Sequence, residues 1–130
     1  MSRKYKFHNP EGVYFVSFAV QGWVDVFTRN EYKNIIVDNL KYCQEHKGLE
    51  IFAWCIMTSH IHLIIRAGRD IPLQDILRDY KKFTSKAIIM QLRKIFRKAK
   101  KNGCSSNSEH QKVTDFGEEI INQLNCGVIK

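Results

Sequence analysis

The sequence predicts an α+β fold in which helices cover one face of an antiparallel sheet. Three observations support this prediction. Several short runs are rich in β-branched and aromatic residues, as strands are. Two longer segments repeat apolar residues at helical spacing, and two strand-like runs are separated by Thr58 and Ser59 alone, as in a hairpin. At 130 residues and 44% hydrophobic content, the chain is expected to form a single domain over residues 1–130.

The first half of the chain predicts a strand followed by a helix. Residues 13–20 alternate in strand fashion and are followed by Gly22. Thr28 and Glu31 have the spacing of a capping box, which predicts that a helix starts at Thr28. Gly48 follows the last apolar position of that helix and predicts its end.

The second half predicts two more strands, a long helix and a weakly defined end. Residues 49–57 and 60–66 are the predicted hairpin strands, and Pro72 opens a helix that runs to about Gly103. Residues 111–116 favour a short strand and residues 118–124 a short helix. The order is then β-α-β-β-α-β, which is the ferredoxin-like arrangement.

The third strand carries two histidines one residue apart. Because successive side chains of a strand alternate between its faces, His60 and His62 point the same way, and Ile61 points the other way. Two neutral imidazoles on one face can each offer a ring nitrogen to a divalent metal. A His-x-His pair is also common at half-solvated sheet positions, so the spacing alone does not decide between the two interpretations.

The long helix is strongly basic. The formal net charge of the chain is +8, and residues 78–101 contain ten basic residues against one acidic residue, Asp79. Solvated helix faces usually mix both signs, so a face of one sign favours a polyanion such as nucleic acid over a membrane surface. The candidate DNA-binding residues are Lys81, Lys82, Lys86, Arg93, Lys94, Arg97 and Lys98.

Composition bears on the compartment of the protein and on the role of its cysteines. No apolar run reaches membrane-spanning length and no signal-peptide pattern follows Met1, so we expect a cytoplasmic protein without a membrane partner. The four cysteines are far apart and form no C-x-x-C pair, which argues against a cysteine zinc site or a disulfide framework. Cys43 and Cys55 fall at apolar positions and are expected in the core.

Five segments carry a resemblance to a known family. They are residues 14–20, 23–27, 48–54, 60–62 and 80–86. In this order they resemble the HUH single-tyrosine transposases of the insertion-sequence-200 type, and more closely the REP-associated relatives found in Bacteroidetes.

The resemblance implies a chemistry. Such proteins cut and rejoin single-stranded DNA at hairpin-flanked ends. Mg²⁺ or Mn²⁺ on the histidine pair would polarise the scissile phosphate, and a tyrosine would attack it to form a 5′-phosphotyrosine. The family's third metal ligand is an Asn or Gln beyond that tyrosine, which implies Gln123 or Asn125 here. The resemblance also implies a homodimer, although REP-associated relatives can be monomers.

The sequence departs from the family at the nucleophile. No tyrosine follows Tyr80, and residues 119–125 contain isoleucines where the family's tyrosine is expected. We therefore expect the chain to be diverged or truncated from about residue 101. Tyr80 is the one remaining candidate nucleophile, and it also fits a core position on the stripe of Ile76 and Leu77.

Two alternatives to an active transposase stay open. One is a DNA-binding remnant that keeps the fold and the basic helix but does not cleave. The other is an RNA-binding ferredoxin-like domain, which would need exposed aromatic residues on the sheet. The aromatic candidates on strands are Tyr14, Phe18, Phe52 and Trp54.

Overall fold

A computed structural model describes residues 7–20, 25–68, 70–101 and 125–129. Four strands and two long helices, with one short 3₁₀ turn, make up this part of the chain. In chain order they are β1 (Tyr14–Ala19), the 3₁₀ turn (Val26–Thr28), α1 (Asn30–Lys47), β2 (Leu49–Ile56), β3 (His60–Ala67), α2 (Leu73–Lys101) and β4 (Asn125–Ile129).

The four strands form one sheet in the order β2-β3-β1-β4, and every neighbouring pair is antiparallel. The predicted α+β class and its antiparallel sheet are confirmed, with β1 and β3 at the centre. The fourth strand is Asn125–Ile129. The strand and helix predicted over residues 111–116 and 118–124 lie outside the described residues.

One face of the sheet is covered by the helices. The ladder pairs Val16 with Leu63 and Phe18 with Ile61, and all four side chains are buried. Burying an aliphatic or aromatic side chain of this size contributes about 1.5–3 kcal/mol, so this layer supplies much of the stability. The helices contribute the buried side chains Tyr32, Ile36, Leu40 and Cys43 from α1 and Leu73, Ile76, Leu77, Tyr80 and Ile88 from α2.

The ends of α1 agree only in part with the sequence prediction. The helix begins at Asn30, and no side chain caps it, because Thr28 belongs to the 3₁₀ turn that precedes the helix. The predicted capping box at Thr28 is therefore wrong. Gly48 ends the helix as predicted: its φ is 68°, a left-handed conformation that favours glycine, and its amide donates to the Cys43 carbonyl.

Polar contacts also join α1 to α2. Lys47 forms an ion pair with Asp79, and Asn39 Nδ2 donates to Thr84 Oγ1 at 3.2 Å. The hydrogen bond from Lys47 lowers the pKa of the Asp79 carboxyl, and the same bond raises the pKa of Lys47. Both side chains are partly exposed, so the pair contributes modestly to stability.

A β-bulge changes which face the end of β2 presents. Leu49 and Ile51 pair with Ala67 and Ile65, and the register then shifts between Ile51 and Ala53. Strict alternation would place Cys55 on the covered face with Leu49 and Ile51. Because the bulge adds a residue, Cys55 instead pairs with His62 and is exposed. The core prediction is confirmed for Cys43 and wrong for Cys55.

None of the helices in the described ranges is both long and apolar enough to cross a membrane.

Candidate functional site

The histidine pair lies on the open face of the sheet, opposite the helices. His60 and His62 both belong to β3, and their ring centroids are 4.7 Å apart at an angle of 76°. The intervening Ile61 is buried on the covered face. The alternation inferred from the sequence therefore places both imidazoles side by side on a central strand, which is a rigid position.

Neighbouring side chains orient both rings. His62 stacks on Phe15 of β1, with ring centroids 5.3 Å apart at 23°. Nδ1 of His60 lies 3.2 Å from Ser59 Oγ. Nδ1 of His62 is buried and has no hydrogen-bond partner in the described part of the chain. Among the described residues nothing fixes the tautomer of His62, so a ligand on its other ring nitrogen would set it.

Backbone hydrogen bonds fix the hairpin turn that precedes His60. The Met57 amide donates to the His60 carbonyl at 2.8 Å. The carbonyls of Thr58 and Ser59 accept from the amides of Phe27 and Val20, each also at 2.8 Å. The turn is thus tied to the 3₁₀ turn and to the end of β1, which sets the position of the first histidine.

Small residues stand opposite both histidines on β1. In the ladder with β1, Ala19 stands opposite His60 and Ser17 stands opposite His62. Directly opposite residues of antiparallel strands share a face, so neither imidazole has a bulky neighbour at these two positions. Two imidazoles with small residues opposite them on β1 fit a divalent cation that keeps most of its water ligands.

The described residues do not complete a third protein ligand. Among them, no group of three or more His, Cys, Asp or Glu side chains is arranged to hold a metal ion. Gln123 lies outside the described residues. Asn125 of β4 pairs with Ala19 of β1, and Ala19 pairs with His60 of β3. The backbone positions of Asn125 and His60 are therefore aligned across the sheet, two strands apart.

Tyr80 lies on the other side of the sheet. It is 3% exposed and packs against Phe18 on the covered face, with ring centroids 5.6 Å apart. Burial raises the pKa of its hydroxyl far above the ordinary value, and the Thr84 hydroxyl offsets only part of this effect. The structure therefore does not bring Tyr80 to the histidine pair.

The basic residues of α2 form a largely exposed face. Lys81 is half-buried, with its ammonium 5.5 Å from the Phe18 ring centroid, and the other six DNA-binding candidates are exposed. Those six are Lys82, Lys86, Arg93, Lys94, Arg97 and Lys98. Arg78 is exposed as well, but it pairs with Asp75 and Asp79.

Comparison with known proteins identifies the family. The sequence profile of a family described as IS200-like transposases matches residues 16–119. The chain belongs to the IS200-like transposase family. This confirms the resemblance inferred from the five sequence segments. A comparison with curated proteins gives no significant match.

Two solved structures share the fold of this IS200-like transposase. A candidate transposase from Deinococcus radiodurans R1 has a TM-score of 0.55 and 16% identity, covering 89% of this chain and 95% of that one. A REP-associated tyrosine transposase bound to a REP hairpin has a TM-score of 0.51 and 20% identity, covering 67% of this chain. The match spans 53% of that second chain, about half its length.

Two residues that the sequence did not indicate also lie at the site of this transposase. Met57 stands opposite His60 across the two-residue turn, and Cys55 stands opposite His62. The hairpin length could have indicated Met57, since a turn of two residues fixes the pairing. The position of Cys55 also depends on the bulge, for which the sequence gives no clear signal.

The aromatic residues on the strands do not form a common platform. Tyr14 packs edge-to-face on Phe7, and Phe18 is buried. Phe52 and Trp54 are exposed, and Phe52 lies 5.6 Å from the Arg66 guanidinium carbon. Stacking of successive bases requires several aromatic rings on one face, so these four residues do not favour the RNA-binding alternative.

Proposed function

We propose that this IS200-like transposase binds single-stranded or hairpin DNA in the cytoplasm and places a phosphate at the histidine pair. The observation that carries the proposal is the pairing of His60 with His62 on the open face, 4.7 Å apart by ring centroids. These residues would hold Mg²⁺ or Mn²⁺, with Gln123 or Asn125 as the third protein ligand. Such a cation, when bound, supplies Lewis-acid polarisation of the scissile phosphate.

The basic face of α2 is the proposed DNA-binding surface. Lys81 and Ile88 line one small cavity with Val20 and Ile61, at the end of the sheet where β3 begins. The helix has 29 residues, or about 43 Å, and it continues for 13 residues after Ile88, with Leu92 and Ile95 still packed against the core.

Four of the basic candidates follow Ile88: Arg93, Lys94, Arg97 and Lys98. A DNA strand held there through its phosphates would pass the end of the sheet at which His60 lies. Side chains of this kind bind backbone without reading sequence. The hairpin seen on the REP-associated structure supports the same class of substrate.

The nucleophile is the point at which we expect this chain to differ from an active family member. No tyrosine follows Tyr80, and Tyr80 is in the core. Without a positioned attacking group, the site lacks the part of the reduction in activation free energy that comes from proximity and orientation. That part reaches about 7–11 kcal/mol in favourable cases. We therefore propose a DNA-binding protein that forms no phosphotyrosine, with residues 1–130 as one domain that is diverged from about residue 101.

A homodimer is a further part of the proposal. Tyr42, Phe83 and Met90 are exposed apolar residues around a groove of about 500 Å³ between α1 and α2. Burial of this groove against a second copy would remove apolar surface from water. Light scattering at micromolar concentration should give twice the 15.3 kDa monomer mass, and Phe83→Glu should restore the monomer. A monomer in the unaltered protein would exclude this assembly.

The central experiment combines DNA binding with adduct detection. Labelled hairpin DNA is incubated with the protein and Mn²⁺, and the products are run on a denaturing gel. We expect DNA binding but no shifted covalent band. A shifted band that is absent in Tyr80→Phe would make Tyr80 the nucleophile, and a band retained in that variant would place the nucleophile elsewhere.

A salt titration locates the DNA path. Each lost phosphate contact should reduce the slope of log affinity against log salt by about 0.7 for a single strand. Arg93→Gln with Arg97→Gln should therefore lower the slope by about 1.4, and Arg66→Gln on the sheet serves as the control. An unchanged slope in the double variant would place the DNA on another surface.

A further inference from the structure

The groove between α1 and α2 has the size and the walls of a small-molecule site. Its volume of about 500 Å³ lies within the range of about 300–1,000 Å³ that is typical of ligand pockets. Three large apolar side chains that are exposed to solvent line it, namely Tyr42, Phe83 and Met90. The Tyr42 ring stacks on His46, with ring centroids 4.3 Å apart at 18°, so this wall already has a defined orientation.

Polar contacts between the two helices hold the groove in shape. Lys47 and Asn39, which both line the groove on α1, bind across to α2. Lys47 forms its ion pair with Asp79, and Asn39 donates its hydrogen bond to Thr84. A site whose walls are fixed before binding loses less conformational entropy when a ligand enters it.

The charge of the groove favours an anion. Among the described residues, two lysines line it, Lys47 and Lys86, and no Asp or Glu does. Lys47 is paired with Asp79, whereas Lys86 is exposed and forms no ion pair within the described ranges. Burial raises the pKa of the Cys43 thiol and of the Tyr80 hydroxyl, so neither of these lining groups carries a negative charge at neutral pH.

We propose that this groove binds a small amphipathic anion, a carboxylate or sulfonate on an apolar body. The apolar body lies against Tyr42, Phe83 and Met90, which removes its surface and theirs from water, and the anionic group lies beside Lys86. Binding itself requires neither DNA nor a metal ion. One consequence rests on the proposed homodimer: the anion and a second copy of the chain would compete for the groove, so the anion would favour the monomer.

Two fluorescent probes that share one aromatic frame test this proposal. Anilinonaphthalene sulfonate carries an anionic group, and N-phenylnaphthylamine does not. Each probe is titrated into the full-length protein at a concentration at which light scattering gives the monomer. We expect saturable binding of both probes to the unaltered protein, with one site per chain.

Lys86→Gln separates the contribution of charge from that of the apolar walls. It should weaken binding of the sulfonate by about two- to fivefold, as expected for a solvent-exposed ion pair, and leave the affinity for the neutral probe unchanged. Lys41→Gln is the matched control, since Lys41 is an exposed lysine of α1 that does not line the groove. Equal sulfonate affinity in the two variants, or no saturable binding by the unaltered protein, would overturn the proposal.

Ala87→Leu tests the location of the site. Ala87 is half-buried and lines the groove, so a larger side chain there takes up space that the probe needs. Both probes should bind about tenfold more weakly. Near-ultraviolet circular dichroism checks the fold, and unchanged affinities in a folded variant would place the probes elsewhere and refute the site. If this variant does not fold, the comparison of Lys86→Gln with Lys41→Gln still decides, because both positions are exposed.

The outcome is separable from that of the proposed homodimer. At micromolar protein concentration, saturating sulfonate should convert the dimer to the 15.3 kDa monomer in light scattering. A protein that is monomeric without the sulfonate refutes the homodimer and leaves the anion site to the two titrations. A dimer that persists at saturating sulfonate refutes the competition between the anion and the second copy.

Discussion

The two faces of the sheet are made by the same strands but have different consequences for the protein. On the covered face, Phe18 and Leu63 are buried under the helices. On the open face, Phe15 and His62 are half-buried and stack on each other. The period of two thus separates residues that hold the fold together from residues that can contact a ligand, and neighbours in sequence should respond differently to substitution.

Phe18→Ala against Phe15→Ala is the strongest test of this separation. Phe18 is 2% exposed, so its truncation leaves a cavity and should lower the free energy of unfolding by about 3–5 kcal/mol. Phe15→Ala should cost less than half as much, because its ring is only half-buried. Urea denaturation measures both. Equal losses would mean that the open face also carries the core.

Tyr80→Phe tests the assignment of Tyr80 to the covered face. The substitution removes a buried hydroxyl and keeps the ring that packs on Phe18, so stability should change by no more than about 1.5 kcal/mol. Binding of Mn²⁺ and of hairpin DNA should stay as in the unaltered protein. A drop in Mn²⁺ affinity, measured by NMR line-broadening, would place the hydroxyl near the metal.

The Lys47–Asp79 pair tests how the helices are held on the covered face. The pKa of Asp79 is lower in the folded state than in the unfolded state, so the pair stabilises fully above about pH 4 and loses its effect as the pH falls further. The raised pKa of Lys47 removes the effect only at strongly alkaline pH. Asp79→Asn should therefore cost about 0.2–1 kcal/mol at pH 7 and less at pH 3.

The control for that prediction is Asp75→Asn on the same helix. Asp75 pairs with Arg78, whose side chain is 70% exposed, so the change should have a smaller effect. Thermal unfolding across pH values measures both variants. A cost for Asp79→Asn that does not shrink in acid would mean that the ion pair is not its source.

Substitution of the histidine pair should have the smallest effect on stability but should abolish metal binding at this site. His60→Gln with His62→Gln should change the free energy of unfolding by about 0.5 kcal/mol, as substitutions outside the core do. Mn²⁺ should broaden the NMR signals of these two rings first in the unaltered protein. If the broadening occurs elsewhere and survives the double substitution, the metal lies at another site.

Local signals in the sequence were sufficient for most of the fold. Gly48 marked the end of α1 because a left-handed residue was needed there, and Thr58-Ser59 marked the hairpin because only two residues separate its strands. The alternation about Ile61 placed both histidines on one face. These inferences depend on neighbours in the chain, which a sequence displays directly.

The errors arose where distant contacts decide the local structure. Thr28 has capping-box spacing, yet residues 26–28 form a 3₁₀ turn that buries Phe27 and delays the helix. Cys55 is apolar in character, yet a bulge three residues earlier moves it to the open face. Hydrophobicity indicates that a residue can be buried, but the pairing of two strands determines which side it faces.

The hairpin turn before His60 determines which substitutions the sequence can accept there. The amides of Val20 and Phe27 contact Thr58 and Ser59 through the carbonyl groups of the turn, which every amino acid possesses. Thr58 is exposed and Ser59 is buried, so position 58 should accept many side chains and position 59 only small ones. The constraint falls instead on Val20 and Phe27, whose amides donate to the turn: proline at either would remove a donor. Over evolutionary time the turn can therefore change its residues while the first histidine stays where it is.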